Sequence, residues 1–391
     1  MGRQTNVKKS LLFLLLLFLS LGVALRSGYE LVIGSSVLVA DSYAAPAAAD
    51  PDAGLTLTFA GDLMSHTVNF RMRDFDAVYA DVAPLLRADD LSFVNLEFPV
   101  DSSRPYASYP RFNVHPEYVD SAINAGFDVL SAANNHTADW HRDGILATMR
   151  YLDSVAERHG ITWSGIRGSP GRDFEIQTIE RNGYRVGFLA ITQFSNEWRE
   201  YAGLEYVYLL SFRARSRVEA FLEWLEAHTA AYDLFVLSYH GGIEYALTAD
   251  PAKMRFFRRL VNAGVDIVWA HHPHVLQPWE RVVRADGTEA LVFPSTGNFV
   301  SGQPHRLGAD QWSVARAHTG DSALYQVRVD RAAERIELHL TVIPIFHRRE
   351  ADGVRVRTSP SLNGGWATYD GQRRRLSAPQ RVAVGPDWFF E

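Results

Sequence analysis

The 391-residue chain contains no cysteine. That excludes a disulfide framework, thiolate metal ligands, a cysteine nucleophile and a lipidated cysteine anchor. Dense basic blocks are missing too: the net charge is −6, and Arg373-Arg374-Arg375 is too short to be more than a solvated face. A nucleic-acid partner is not expected from that balance. A comfortable membrane span is also lacking. The apolar run over 11–25 is short for a bilayer and follows Lys8-Lys9, which is the arrangement of an export signal. Arg26 interrupts it, a weaker apolar segment covers 31–40, and Ala44-Ala45-Pro46-Ala47-Ala48-Ala49 offers a cleavage site or a flexible linker. The rival reading is an uncleaved anchor. Residues 1–50 are therefore a signal peptide or membrane anchor plus linker, and either version sends the body of the chain out of the cytoplasm.

What is present is the composition of a globular protein, with 47% hydrophobic and 21% charged residues. An exported chain without disulfides must be held by its core, and this one is long enough to build it. From Leu55 onward, strand-like runs alternate with helical stretches, which predicts an α/β arrangement. Strands are expected over 55–60, 91–94, 127–130, 184–192, 234–239, 265–270 and 290–293. Helices are expected over 75–86, 116–125, 144–159, 216–232 and 251–263, with Gly126, Gly160 and Gly264 as stops. After Asp321, two period-two runs over 323–329 and 336–342 read as an antiparallel hairpin, at an edge or in a second sheet of the same domain. One domain is thus expected over 51–348, followed by an irregular C-terminal extension over 349–391.

Six of the strand-like runs end in polar groups. They are Asp62, Glu97, Asn134-Asn135-His136, His240, His272-Pro273-His274, and the Ser295–Asn298 stretch. Ligands of open α/β sheets bind beyond the carboxyl ends of the strands, so these ends can gather on one rim. Carboxylates, an Asn carbonyl and imidazoles form a mixed nitrogen and oxygen ligand set suited to Mn, Fe or Zn. Two divalent ions a few Å apart suit metal-assisted hydrolysis. His136 is the candidate proton donor to a leaving oxygen. Each residue alone has an ordinary alternative: a turn Asp, a surface Glu, a turn Asn, a core His. Strand alternation separates adjacent side chains, so His271 is expected to turn away from the site as a bystander. Trp140, Trp198, Tyr245 and Trp279 lie near these motifs, as packing or as a substrate groove.

The ordered segments Gly61-Asp62-Leu63-Met64, Asn95-Leu96-Glu97, Ala133-Asn134-Asn135-His136, His240-Gly241-Gly242-Ile243-Glu244-Tyr245, His272-Pro273-His274-Val275-Leu276-Gln277-Pro278 and Gly297-Asn298-Phe299-Val300 resemble the CapA family. That family is associated with poly-γ-glutamate capsule synthesis and is similar in turn to calcineurin-like metallophosphatases. The resemblance covers roughly 55–303. It implies a sandwich of two packed β-sheets flanked by helices and a pair of divalent ions. It also implies metal ligands at Asp62, Glu97 (bridging), Asn135, His240, His272 and His274. His136 takes the place of the proton donor, with Asp139 orienting it. The chain departs from the metallophosphatase pattern where Asp-x-His is usual, having Asp62-Leu63-Met64-Ser65-His66, so His66 completes the set only if the loop curls back. Glu97 stands for an Asp, and Gly241 for a Trp. The implied partners are an envelope polymer or phosphorylated substrate and a membrane-bound polymer synthesis or export complex. The alternative is a non-catalytic binding or scaffold component of such a complex.

Overall fold

The computed structural model describes residues 31–32, 54–199, 202–303, 318–332, 335–350 and 353–358. Apart from Leu31–Val32, the expected export segment lies outside the described residues. The strands run β1 Leu31–Val32, β2 Leu55–Leu63, β3 Leu91–Leu96, β4 Val129–Ser131, β5 Thr162–Ser164, β6 Gln177–Arg181, β7 Tyr184–Thr192 and β8 Leu234–His240. They continue as β9 Ile267–His271, β10 Glu280–Val283, β11 Glu289–Phe293, β12 Asn298–Val300, β13 Asp321–Ala332, β14 Arg335–Glu350 and β15 Gly353–Thr358. One sheet has the order β1-β10-β11-β9-β8-β7-β6 and the other β15-β14-β13-β2-β3-β4-β5, with β12 added beside β2. The centre of each sheet is parallel: β7, β8, β9 and β11 in the first, β2 to β5 in the second.

The two sheets pack face to face and helices cover both outer faces, the α/β sandwich that the sequence implies. Period-two alternation sorts the side chains of each strand. Leu55, Leu57 and Phe59 of β2, Leu91 and Phe93 of β3, and Leu234 and Val236 of β8 face the space between the sheets. Phe235, Leu237 and Tyr239 face helices Arg215–Thr229 and Pro251–Asn262. Helices Pro116–Ala125 and His141–His159 cover the other sheet. The inter-sheet core is aromatic: Phe59 stacks on Phe93 with ring centroids 4.5 Å apart, and Trp269 tilts against Phe59 at 5.8 Å. The Trp269 indole N–H donates to the Ala60 carbonyl at 2.8 Å, so one buried donor ties the sheets together.

Two expectations are corrected. The helix expected over 75–86 is a single 3-10 turn, Asp76–Val78, and a short helix, Ala83–Leu86, because Pro84 lacks the N–H that a continuous helix would require. The hairpin of β13 and β14 takes the second of its two expected placements, in the second sheet, with β13 also paired to β2 over Leu55–Phe59. The boundary at 348 cuts through β14, and the extension expected to be irregular contributes β15, paired to β14. Val354 and Val356 are buried there and alternate with Arg355 and Arg357, a period-two signal that the reading passed over.

Away from the motif-bearing strand ends, Asp89 accepts hydrogen bonds from the Thr58 hydroxyl and, at 2.8 Å, from the Gln326 amide. Burial, reinforced by Asp90 and Asp128 and only partly offset by those two donors, raises its carboxyl from 3.8 to about 7. A carboxyl raised on folding contributes stability that is complete below its unfolded value and is lost as the pH climbs through its folded value. Denaturant midpoints of the wild type should therefore decline from 3.8 to about 7 by a component that Asp89→Asn removes. Parallel pH profiles for the two proteins would contradict this.

Candidate metal centre

The inward-facing register of the core continues up each strand and turns polar. Asn95 and Glu97 follow Leu91 and Phe93, His240 follows Val236 and Ser238, and His271 follows Ile267 and Trp269. Asp62 would fall on the opposite face from Leu55, Leu57 and Phe59 if β2 were regular. The β2–β3 register shifts between Phe59 and Asp62, so that Phe59 pairs with Phe93 and Asp62 with Asn95. One extra residue in β2 flips Asp62 inward, and the Asn95 amide donates to its Oδ1 at 2.9 Å. The bulge brings Gly61 against the loop before β12, where a Cβ would meet the Gly297 carbonyl oxygen at 2.1 Å. Only glycine fits there.

His272 and His274 reach the rim differently. Both have left-handed backbones, with φ of 94° and 58°, on either side of Pro273. Such conformations cost on the order of 1–3 kcal/mol each and gather at functional sites. Here they turn the chain out of β9 so that both imidazoles face the carboxylates. His274 Nδ1 lies 3.1 Å from Asp62 Oδ2 and 3.0 Å from Asn298 Oδ1, and its Nε2 lies 3.7 Å from Glu97. His240 Nε2 is 2.6 Å from Asn135 Oδ1 and 3.7 Å from Glu97.

Asp62 and Glu97 are fully buried, and they titrate in opposite directions. Burial, then the charge of Asp62, pushes Glu97 well above the ordinary carboxylate range. Burial also acts to raise Asp62, but the His274 hydrogen bond and the imidazoles of His271 and His274 outweigh it and hold Asp62 low. Burial and neighbouring imidazoles push His240 and His272 well below the usual histidine value, which leaves both neutral, the metal-binding form. Both carboxylate oxygens of Glu97, and Nδ1 of His272, are buried without a hydrogen-bond partner among the described residues. Orphaned buried acceptors of this kind require a cation or an ordered donor.

The donors fit divalent ions. The ligand atoms of Glu97, His240 and His272 lie within 4.8 Å of one another, and so do those of Asp62, Glu97 and His274. Glu97 belongs to both groups. A third group, within the same limit, joins Glu244 to His272 and His274.

Of the residues singled out from the sequence, Asp62, Glu97, Asn135, His240, His272 and His274 lie together at this rim. His136 stands to one side: its Nδ1 is 2.8 Å from Asp139 Oδ2, which also accepts the Phe112 amide at 2.7 Å. Burial raises the Asp139 carboxyl, opposed chiefly by the charge and hydrogen bond of His136. Asn134 shapes the turn, donating to the Leu96 carbonyl at 2.6 Å and accepting the His136 amide at 3.0 Å. His66 belongs to none of the three groups. Its Nδ1 accepts the Gly302 amide at 3.1 Å, and its ring packs edge-on against Phe112. His271 is not the bystander expected from alternation. It belongs to none of the three groups, yet its Nδ1 lies 3.4 Å from Asp62 Oδ1. Alternation separates the two neighbours in the opposite sense: β9 carries His271 into the inter-sheet space behind Ile267 and Trp269, and His272 gets there by leaving strand geometry. Of the four aromatic residues, Trp279 is buried, Trp140 donates to the Phe112 carbonyl at 2.8 Å, Trp198 is exposed, and Tyr245 lies over His274 with ring centroids 6.1 Å apart.

Sequence reasoning missed Asn95, Glu244 and Lys253. Asn95 bridges Asp62 and His240, with its amide 3.3 Å from His240 Nδ1. Lys253 is buried and donates to the Gly241 and Pro294 carbonyls at 2.7 and 2.9 Å, tethering the ends of β8 and β11. Burial, opposed by Asp62, lowers its ammonium to about 7. Nothing in the helical pattern of residues 251–263 separates that lysine from a solvated one.

Metal content by mass spectrometry should fall in Asn135→Ala and His272→Ala. His271→Ala, which loses the support of Asp62 but no ligand, should retain ions with affinity about 10-fold weaker. Equal losses in all three would contradict these placements. Divalent metal at a hundred times its dissociation constant should stabilise the chain by about 2.7 kcal/mol, and a chelator should reverse the gain.

Residues 56–303, the span that holds every one of these groups, match the family described as bacterial capsule synthesis protein PGA_cap. The chain is similar to the capsule biosynthesis protein CapA of Bacillus anthracis, 29% identical over 282 residues that cover 70% of this chain and 63% of that protein. It is similar also to the PGA biosynthesis protein CapA of Bacillus subtilis (strain 168), 26% identical over 71% of this chain and 68% of that protein. A probable polyglutamine synthesis accessory protein of Mycobacterium tuberculosis is 22% identical over 66% of this chain and 76% of its own length. The match thus spans about two thirds of the two CapA relatives. With most of its length matched and the rim inside the matched span, the chain belongs to the PGA_cap family of bacterial capsule synthesis proteins.

Proposed function

We propose that this chain is an exported protein of capsule polymer synthesis or export, acting on poly-γ-glutamate or a related envelope polymer through a two-metal hydrolytic site. The observation that carries the reading is Glu97: buried, without a hydrogen-bond partner among the described residues, and common to two separate ligand groups. One group is Asp62, Glu97 and His274. The other is Glu97, His240 and His272, to which Asn135 brings its amide oxygen. Bound there, divalent ions (Mn, Fe or Zn) supply Lewis-acid polarisation of a substrate oxygen and activation of water near neutral pH.

The chain's own residues do the rest. With Nδ1 donating to Asp139, His136 is fixed in orientation, and Nε2 is the atom that exchanges a proton with a leaving oxygen. The Asn196 side chain lies between the two residues: its amide nitrogen is 3.3 Å from Nε2 and 3.4 Å from Nδ1 of His136, and its Oδ1 accepts from the Asn135 amide at 3.3 Å. Export follows from the segment over 11–25, which leaves the rim facing an extracytoplasmic polymer. Among the described residues no helix is long and apolar enough to cross a membrane. In this reading the partner is a membrane-bound polymer synthesis or export complex.

The test uses the secreted chain with wild-type sequence and His136→Ala. Two ions per chain, hydrolysis of a phosphodiester or of polyglutamate by the wild type, and a loss of about 10²-fold or more in the variant are expected. Bound metal with no turnover of either substrate would make the chain a binding component of the complex instead.

A further inference from the structure

Glu244 is the exposed carboxylate of the rim, whereas Asp62, Glu97 and Asp139 are buried. Its loop is tied down on both sides. Tyr245, with a left-handed φ of 61°, donates its amide to the Pro273 carbonyl at 2.8 Å, and its hydroxyl accepts from the Gln303 amide at 3.3 Å. The Gln277 amide donates to the Ala246 carbonyl at 2.7 Å. The turn carrying His272 and His274 thus holds the Glu244 segment over itself, and the ligand atoms of these three residues fall within 4.8 Å of one another.

Each of the two ligand groups that meet at Glu97 includes one of those imidazoles. Glu97, His240 and His272 form one, with the Asn135 oxygen 2.6 Å from His240; Asp62, Glu97 and His274 form the other, with the Asn298 oxygen 3.0 Å from His274. Glu244 is the exposed carboxylate grouped with an imidazole from each.

We propose that Glu244 is the solvent-side metal ligand of the rim, acting beside His272 and His274. It rests on the two-metal reading.

Manganese binding to the full chain, followed by calorimetry and by metal analysis, tests this with Glu244→Gln, His66→Gln and, as a charge control on the exposed face of Arg215–Thr229, Glu226→Gln. Glu244→Gln should retain one ion and bind the second more than about 10-fold more weakly, with an unchanged melting temperature in chelator. The other two variants should bind both ions as the wild type does. If the wild type takes up two ions and Glu244→Gln takes up two with unchanged affinity, the assignment of Glu244 is overturned and the two-metal reading stands. Loss of one ion in His66→Gln alone would also overturn it. A wild type that takes up no ion would sink both.

Discussion

Asp62 and Glu97 are buried at the top of the same inter-sheet core, close enough that the charge of one governs the ionisation of the other. Placing two carboxylates out of water costs several kcal/mol per charge unless something compensates. The histidines do not compensate as cations, because burial keeps His240, His271 and His272 neutral. Lys253 lies near enough to feel Asp62 but spends hydrogen bonds on two backbone carbonyls. A rim so under-neutralised is poised for divalent cations.

The rest of the architecture serves that juxtaposition. Below the rim, aromatic packing between the sheets supplies the stability, with Trp269 fastening one sheet to the other. Above it, the same inward-facing positions switch from Phe, Val and Trp to Asn, Glu and His. The features that break regular geometry are also concentrated here: the β2 bulge, the close approach at Gly61, and left-handed backbones at His272, His274 and Tyr245. Each re-aims a side chain that strand geometry would have sent elsewhere.

The functional reading draws on how these pieces divide the labour. Glu97, one carbon longer than the aspartate that the metallophosphatase pattern places there, lies between the two ligand groups. His136 and Asp139 form a separate pair, coupled to the ligands through Asn135 and Asn196. Membership of the PGA_cap family places the chain among bacterial capsule synthesis proteins.

Much of this was legible in the chain. The polar strand ends at Asp62, Glu97, Asn134-Asn135-His136, His240 and His272-Pro273-His274 could be grouped because parallel strands deliver their carboxyl ends to one edge, and the family resemblance then picked Asn135, His272 and His274 from them as the implied ligands. The alternation of apolar residues foretold two sheets with helices outside. Misreadings arose where a residue's direction depends on pairing with a distant segment. Bulge and backbone reversal are decided by neighbours such as Asn95 and Gly297, and without them Asp62 and His272 would face away while His271 faced in. His66 went to the Gly302 amide, Lys253 to two carbonyls across the sheet, and Val354 and Val356 to a strand partner. The sequence by itself determined which donor side chains stand at which strand ends. Only the tertiary structure decided which of them point at one another, because side-chain direction alternates with every residue and a single inserted residue reverses it.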